Sequence, residues 1–404
     1  MSRLSNTVRL LLAGFCIGIA GVGAGWADEG LTVVVNPYEC VDWDTFEHHK
    51  AALHVHTLQS DGHHMLEEVV EAYRDAGFTI LAITDHDNME PNRHVPAHVP
   101  EEQASPYPKD PKPEDYPANT TWPWPEYGGP APEEVGMVGI EGNEFSYRHH
   151  INSLYNDFGA PDDSMDEDEL LFEVRDRNGL AFFDHPATHG GWSSGRPVEW
   201  YAERFAKHGP QYLVGIEVTN SSPEIEKYDE GLWDQLLARF MPDRPIWGFG
   251  TDDMHSLASV RESHSVFPLD ELSDEAVRTA MEKGQFYLRK STRRNDLRER
   301  RPAEELFPLI EAIEVDNEAG TITVHASNYD TIQWISAPES LEPVADHQES
   351  TEPWPLGRVV HEGESINFRD TPHVDRYLRI ELHRADGEEM FRTFTNPFGL
   401  ANVE

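Results

Sequence analysis

Short apolar runs recur along the first three-quarters of the chain, each ending in a polar tip and each followed by a stretch of helical periodicity. The runs are Ala51–His56, Thr79–Thr84, Val138–Phe145, Ile151–Tyr155, Leu180–Asp184, Tyr212–Val218 and Pro245–Gly250. Runs this short and this apolar predict buried strands. Between them, Leu66, Val69, Val70 and Tyr73 mark one helix face, with Gly77 as its stop. Helices are likewise predicted over Glu167–Arg177, Val198–Lys207 and Glu224–Phe240, and from an N-cap at Ser273 to Gly284. Alternating strand and helix predict an α/β fold with parallel pairing, and about seven such units favour a barrel over an open sheet.

Two regions break this rhythm. Residues 91–135 are dense in proline and carry Tyr107, Tyr116, Trp122, Trp124 and Tyr127. A stretch this long without periodicity reads either as a flap beside a working face or as linker. From about residue 301 the period falls to two, in Ile313/Val315, Ile322/Val324, Ile332/Trp334 and Leu378/Ile380. That pattern predicts a small antiparallel C-terminal β-domain, sandwich-like, over 301–404.

The N-terminus is read apart from the fold. Arg3 and Arg9 precede an apolar stretch, Leu10 to Ala24, and Gly25-Trp26-Ala27 offers small residues before Asp28. This is the pattern of a secretory signal peptide over 1–27. It implies a periplasmic or secreted protein with no membrane anchor after cleavage, leaving 28–300 as the main domain. Only Cys40 then remains, so no internal disulfide is expected. With 74 acidic against 32 basic residues and a net charge of −42, the chain offers no basic stripe for a nucleic-acid duplex. A small anionic substrate stays compatible with that charge if the site itself is positive. Nothing in the pattern defines an oligomeric state.

The strand tips carry the chemistry. His54 and His56 lie two apart, so a strand points them to one side. One such pair has a bland reading as hydrogen-bonded core histidines. The other tips, however, read Thr84-Asp85-His86-Asp87, Gly142-Asn143-Glu144, His149-His150, Asp184-His185-Pro186 and Asp252-Asp253-Met254-His255. Imidazoles and carboxylates at one tip after another have no packing explanation, and residues at strand ends converge. They predict a metal site. Nitrogen and carboxylate donors without thiolate suit Zn, Mn or Fe alike. Asp85, Asp87 and Asp184 are read as partners that orient imidazoles, and His48, His49, His63 and His64 as surface residues.

In this order, His54-x-His56, Ser60-Asp61-Gly62, Ile83-Thr84-Asp85-His86, Glu144, His150, His185-Pro186 and Asp253-x-His255 resemble the motifs of the PHP (polymerase and histidinol phosphatase) metal-dependent phosphoesterases. Gly284-Gln285-Phe286-Tyr287 and Thr395-Asn396-Pro397 are similar to an exported branch of carbaryl-hydrolase type with an appended β-domain. The resemblance implies a distorted (β/α)7 barrel holding two or three divalent metal ions. One would be held by His54, His56, Glu144 and Asp253. A second would share Glu144 with His150 and His185, and a third would take Asp61, His86 and His255. Glu141, His149 and Asp252 compete with Glu144, His150 and Asp253; Phe145-Ser146 after Glu144, Ile151-Asn152 after His150 and the Asp-x-His spacing at Asp253 favour the latter. Hydrolysis of small phosphomonoesters or phosphodiesters, nucleotides among them, is the implied activity. If the third metal is absent, His255 or His86 would serve as proton donor, and Arg196, His189 and Arg93 are candidates for clamping the anion. Two rivals keep the same ligands: a hydrolase of esters, amides or carbamates, and a non-catalytic metal-binding protein.

Overall fold

A computed structural model describes residues 30–87, 131–156, 158–160, 162–186, 196–220, 226–292, 302–341 and 355–403. The signal segment, His189, Arg93 and most of the 91–135 insertion lie outside the described residues. The first part of the chain runs β1 (Gly30–Val35), β2 (Glu47–Ala52), α1 (Leu66–Asp75), β3 (Phe78–Ala82), β4 (Val138–Ile140), β5 (Gly142–Phe145) and β6 (Ile151–Leu154). It continues with α2 (Glu167–Asp176), β7 (Leu180–Phe183), α3 (Val198–Lys207), β8 (Leu213–Thr219), α4 (Glu226–Phe240), β9 (Trp247–Gly250), β10 (Ser263–Leu269), α5 (Asp274–Lys283) and β11 (Tyr287–Thr292). The remainder is all strand: β12 (Leu309–Asp316), β13 (Thr321–Ser327), β14 (Thr331–Ser336), β15 (Arg358–Glu362), β16 (Ser365–Asn367), β17 (Tyr377–Asp386), β18 (Glu389–Thr395) and β19 (Phe398–Val403).

The helices follow their end signals. Ser273 accepts a hydrogen bond from Ala276 N at 3.2 Å, and Gly284 closes α5 in the left-handed region at φ 69°. There a Cβ would lie 2.4 Å from the Trp247 ring, so only glycine fits. Helix α2 opens on a capping box in which Asp166 accepts from Glu169 N and Glu169 from Asp166 N.

The strands differ from expectation in two respects. Pairing is mixed: β2–β3–β4 and β7–β8–β9 are parallel, whereas β5–β6, β6–β7 and β2–β10 are antiparallel. The predicted run Val138–Phe145 is also two strands, β4 and β5, that belong to different sheets. Instead of one closed barrel, β5 to β9 form their own sheet, and the other strands of this region join a larger one. Where β10 runs beside β8 and β9, serine hydroxyls replace the ladder. Ser263 Oγ donates to Thr219 O at 2.9 Å and Ser265 Oγ to Gly250 O at 3.0 Å. Beyond the strand ends, the two sheets meet through isolated bridges at Val55–Met254 and His86–Glu144.

The larger sheet runs on into the C-terminal region, because β11 pairs with β18 over Tyr287–Thr395 to Thr292–Met390. The predicted alternating pairs lie on β12, β13, β14 and β17. Their inward members Ile313, Ile322, Val324, Ile332, Trp334, Leu378 and Ile380 share one apolar cluster with Val33, Tyr38 and Tyr287 from the N-terminal half. The three-stranded sheet β12–β13–β16 and the larger sheet both contribute, giving a sandwich-like pair of layers. Strand β1, which the pattern did not predict, pairs antiparallel with β19. Helix α4 docks on this region through buried charge. Asp234 accepts from Arg379 Nε at 2.9 Å, Arg379 Nη2 at 2.8 Å, Tyr377 OH at 2.7 Å and Gly357 N at 2.7 Å. Asn396, of the Thr395-Asn396-Pro397 motif, bonds Gly284 O, Phe286 O and Gly248 N, joining the two segments of the exported-branch pattern. Among the described residues no helix is long and apolar enough to cross a membrane.

Candidate metal centre

The alternation within the motifs decides which way the ligands point. Val55 and Met254, the middle residues of His54-Val55-His56 and Asp253-Met254-His255, are wholly buried in one cluster with Val69, Val70 and Tyr73 of α1. With these two side chains anchored against the helix, the pleat turns the flanking histidines and Asp253 to the opposite side. His56 N donates to Met254 O at 2.9 Å, which holds the two tips in register. The ring centroids of His54 and His56 are 5.0 Å apart.

Glu144 sits at the centre, with no exposed surface. Its Oε1 lies 2.7 Å from His150 Nδ1, 3.4 Å from His185 Nε2 and 3.5 Å from His54 Nε2. Its Oε2 lies 2.8 Å from His86 Nδ1 and 3.5 Å from His56 Nε2. Asp253 Oδ1 approaches His54 Nε2 at 3.3 Å and His56 Nε2 at 3.2 Å. Nearer the surface, Asp61 faces His255 Nε2 at 3.2 Å and His86 Nε2 at 3.4 Å. Thus the nine residues picked out by the motifs fall within overlapping groups of donors: His54, His56 and Asp253; His54, Glu144 and His185; His86, Glu144 and His150; and His56, Asp61, His86 and His255. Depth separates them. The His54 side chain is fully buried, while that of His255 is 35% exposed, so the outer group opens toward solvent.

These atoms fit a metal and little else. Both Glu144 oxygens, both His54 nitrogens, His56 Nε2, His150 Nδ1, Asp61 Oδ1 and Asp253 Oδ1 are buried without hydrogen-bond partners. An unpaired buried polar atom costs about 1–3 kcal/mol, and a convergent set of them is tolerable where cations occupy their common focus. Electrostatics agree. Burial works to raise the Glu144 carboxyl, yet His150, His86 and His54 bring it well below its ordinary value. Asp253 is likewise raised by burial but carried well below by His54, His255 and His56. Burial and the neighbouring His255 and His86 lower His56 to about 4. Burial opposes protonation of His255, but Asp253 and Asp61 push it up to about 9.

The competing residues lie elsewhere. His149 bonds His150 O at 2.8 Å and Tyr201 OH at 2.7 Å, and stacks on Trp200. Asp252 accepts from Ser263 N and Arg261 N, facing away from the histidines. Arg196 contacts Glu167 at 3.3 Å and lies over the Trp200 ring, beside the cluster rather than in it. Asp85 reaches His56 only through Ser60, accepting from Ser60 Oγ and from the backbone and hydroxyl of Thr57. Asp87 holds the amides of Ser146 and Ala160. Asp184 alone of these three faces an imidazole directly, 3.7 Å from His54 Nδ1. His49, read as a surface residue, is buried and bonded to Thr79 Oγ1, because the β2–β3 pairing covers it. The motifs missed Glu217. It lies in the apolar run Leu213–Thr219, and its one signal was a charge inside a strand that is otherwise buried throughout.

An α/β domain that brings nine imidazole and carboxylate side chains together at its strand tips offers groups of donors that could hold metal. The chain belongs to the PHP-domain family, whose model matches residues 52–301. Among solved structures it is similar to a two-domain protein from Bacteroides vulgatus, described as containing a predicted PHP-like metal-dependent phosphoesterase. Identity is 17%, covering 87% of this chain and 93% of that one, with a TM-score of 0.42. PsfC from Pseudomonas syringae is 14% identical over 58% of this chain and 87% of its own, with a TM-score of 0.36. No curated protein matches the chain significantly.

Proposed function

We propose that this protein is an exported, metal-dependent phosphoesterase acting on small phosphomonoesters or phosphodiesters. The observation that carries the reading is Glu144, a buried carboxylate whose two unpartnered oxygens face imidazoles on both sides. His54, His56 and Asp253 would hold one ion, His150 and His185 a second across Glu144, and Asp61, His86 and His255 a third. When bound, such ions supply Lewis acidity and an acidified water. The chain's own residues do the rest. Buried walls around His54 and Glu144 exclude solvent, and in the metal-free site Asp253 and Asp61 push His255 up to about 9. With the outer group free of metal, His255, at the solvent side, is placed to give its proton to a departing oxygen. Arg196 would reach an anionic substrate by leaving Glu167; Arg196→Ala raising KM at unchanged kcat is the result expected of a clamp.

The same ligands would serve hydrolysis of a carboxyl ester, amide or carbamate, the rival reading. The purified protein, loaded with Mn or Zn, is assayed on nitrophenyl phosphate, bis-nitrophenyl phosphate and nitrophenyl acetate. Faster metal-dependent turnover of a phosphate ester supports the proposal; faster acetate turnover replaces it with the rival. Tight metal uptake without turnover of any of the three leaves a metal-binding protein. Export is tested by N-terminal sequencing of the mature protein, with Asp28 as the expected first residue.

A further inference from the structure

Four carboxylates surround the imidazole of His54, and two of them stand behind it. Its Nε2 faces Glu144 and Asp253, whereas Nδ1 faces Glu217 Oε1 at 3.5 Å and Asp184 Oδ1 at 3.7 Å. Asp184 Oδ1 is already taken by Asn152 Nδ2 at 2.7 Å. Glu217, with no exposed surface, is engaged differently. It accepts from the backbone N–H of His185, from the hydroxyl of Thr251 and from Asn220 Nδ2 at 3.3 Å. Asn220 Nδ2 also lies 3.1 Å from Asp253 Oδ2. One carboxylate on β8 thus touches His54 just beyond β2, His185 just beyond β7 and, through Asn220, Asp253 just beyond β9.

We propose that Glu217 is a positioning residue that presets the deep half of the metal centre. Resting on the metal-binding reading above, its carboxylate 3.5 Å from Nδ1 favours the His54 tautomer with Nδ1–H on that side and the Nε2 lone pair toward the ion. It also fixes the His185 backbone and the second oxygen of Asp253. It touches no substrate. An imidazole ligand fixed in this way by a carboxylate binds metal more tightly, and loss of such a partner lowers affinity about 10- to 100-fold. The geometry confines the effect, because His255 and Asp61 make no contact with Glu217 among the described residues.

The test compares zinc binding by wild type, Glu217→Gln and His255→Ala, using competition with graded chelators and metal analysis of the equilibrated protein. Glu217→Gln should weaken the tightest zinc by 10- to 100-fold and leave the outer site unchanged; His255→Ala should do the reverse. Slow exchange of the His54 Nδ1 proton in zinc-loaded wild type, followed by histidine 15N spectra, should be lost in Glu217→Gln. Unchanged tight-site affinity with a still-protected Nδ1 proton overturns the proposal. Should Glu217→Gln fail to fold, Asn220→Ala removes the amide that bonds both Glu217 and Asp253; a several-fold loss confined to the tight site is then expected, and no loss overturns the proposal. Wild type that takes up no zinc ends the metal-binding reading itself, a different failure.

Discussion

Replacing Glu144 by glutamine keeps the side chain's size and removes one charge from the centre of the site. Five imidazole nitrogens lie within 2.7–3.5 Å of its oxygens, so the charge is shared by every deep ligand group. At an effective dielectric of about 20, a unit charge about 3.5 Å away interacts by about 5 kcal/mol. Part of that is returned because the amide oxygen still donates a lone pair. Removing one partner of a buried charge pair costs about 3–5 kcal/mol in comparable settings, which is roughly 10²- to 4 × 10³-fold in metal affinity. Chelator competition with metal analysis measures this directly, and metal-dependent turnover should fall with occupancy. If Glu144→Gln retains its full metal complement with less than a tenfold change in affinity, Glu144 does not bridge the two halves, and the grouping of ligands around it is wrong.

Metal binding should also depend on pH in a defined direction. His255 is pushed up to about 9, above the ordinary histidine value, so its proton stabilises the metal-free fold fully below about pH 6.5. That contribution is lost as pH rises through 9. A metal must displace the proton, so outer-site affinity should rise about tenfold per pH unit from 7 to 9; isothermal titration at three pH values checks it. At Gly62 a Cβ would lie 2.5 Å from the His56 carbonyl carbon and oxygen, backbone atoms that cannot rotate aside. Gly62→Ala should therefore cost about 1–3 kcal/mol in urea melts and reduce metal content by displacing the His54–His56 segment. Away from the site, Asp234→Ala breaks four donor contacts, two from the buried Arg379 (which keeps Glu381) and one each from Tyr377 and Gly357, and should destabilise the fold by about 3–5 kcal/mol. A loss under 1 kcal/mol would mean that α4 does not depend on this network.

What the sequence determined by itself was local. Period-two and helical patterns placed α1, α3 and α5 nearly to the residue, because caps such as Ser273 and stops such as Gly77 and Gly284 act within one turn. The candidate ligands stood out for the same reason: a polar tip after an apolar run is a feature of a few adjacent residues, and it recurred. Only the tertiary structure decided how those residues group. Strand direction at β6, the division of Val138–Phe145 between two sheets, and the pairing of β1 with β19 depend on contacts between segments far apart in sequence. Glu217 belongs with these. As a lone charge in a buried strand it carried no motif, and its role depends on three tips of other strands meeting around it. A carboxylate's chemistry is set by what surrounds it, and at the bottom of this site the surroundings come from β2, β7 and β9 at once.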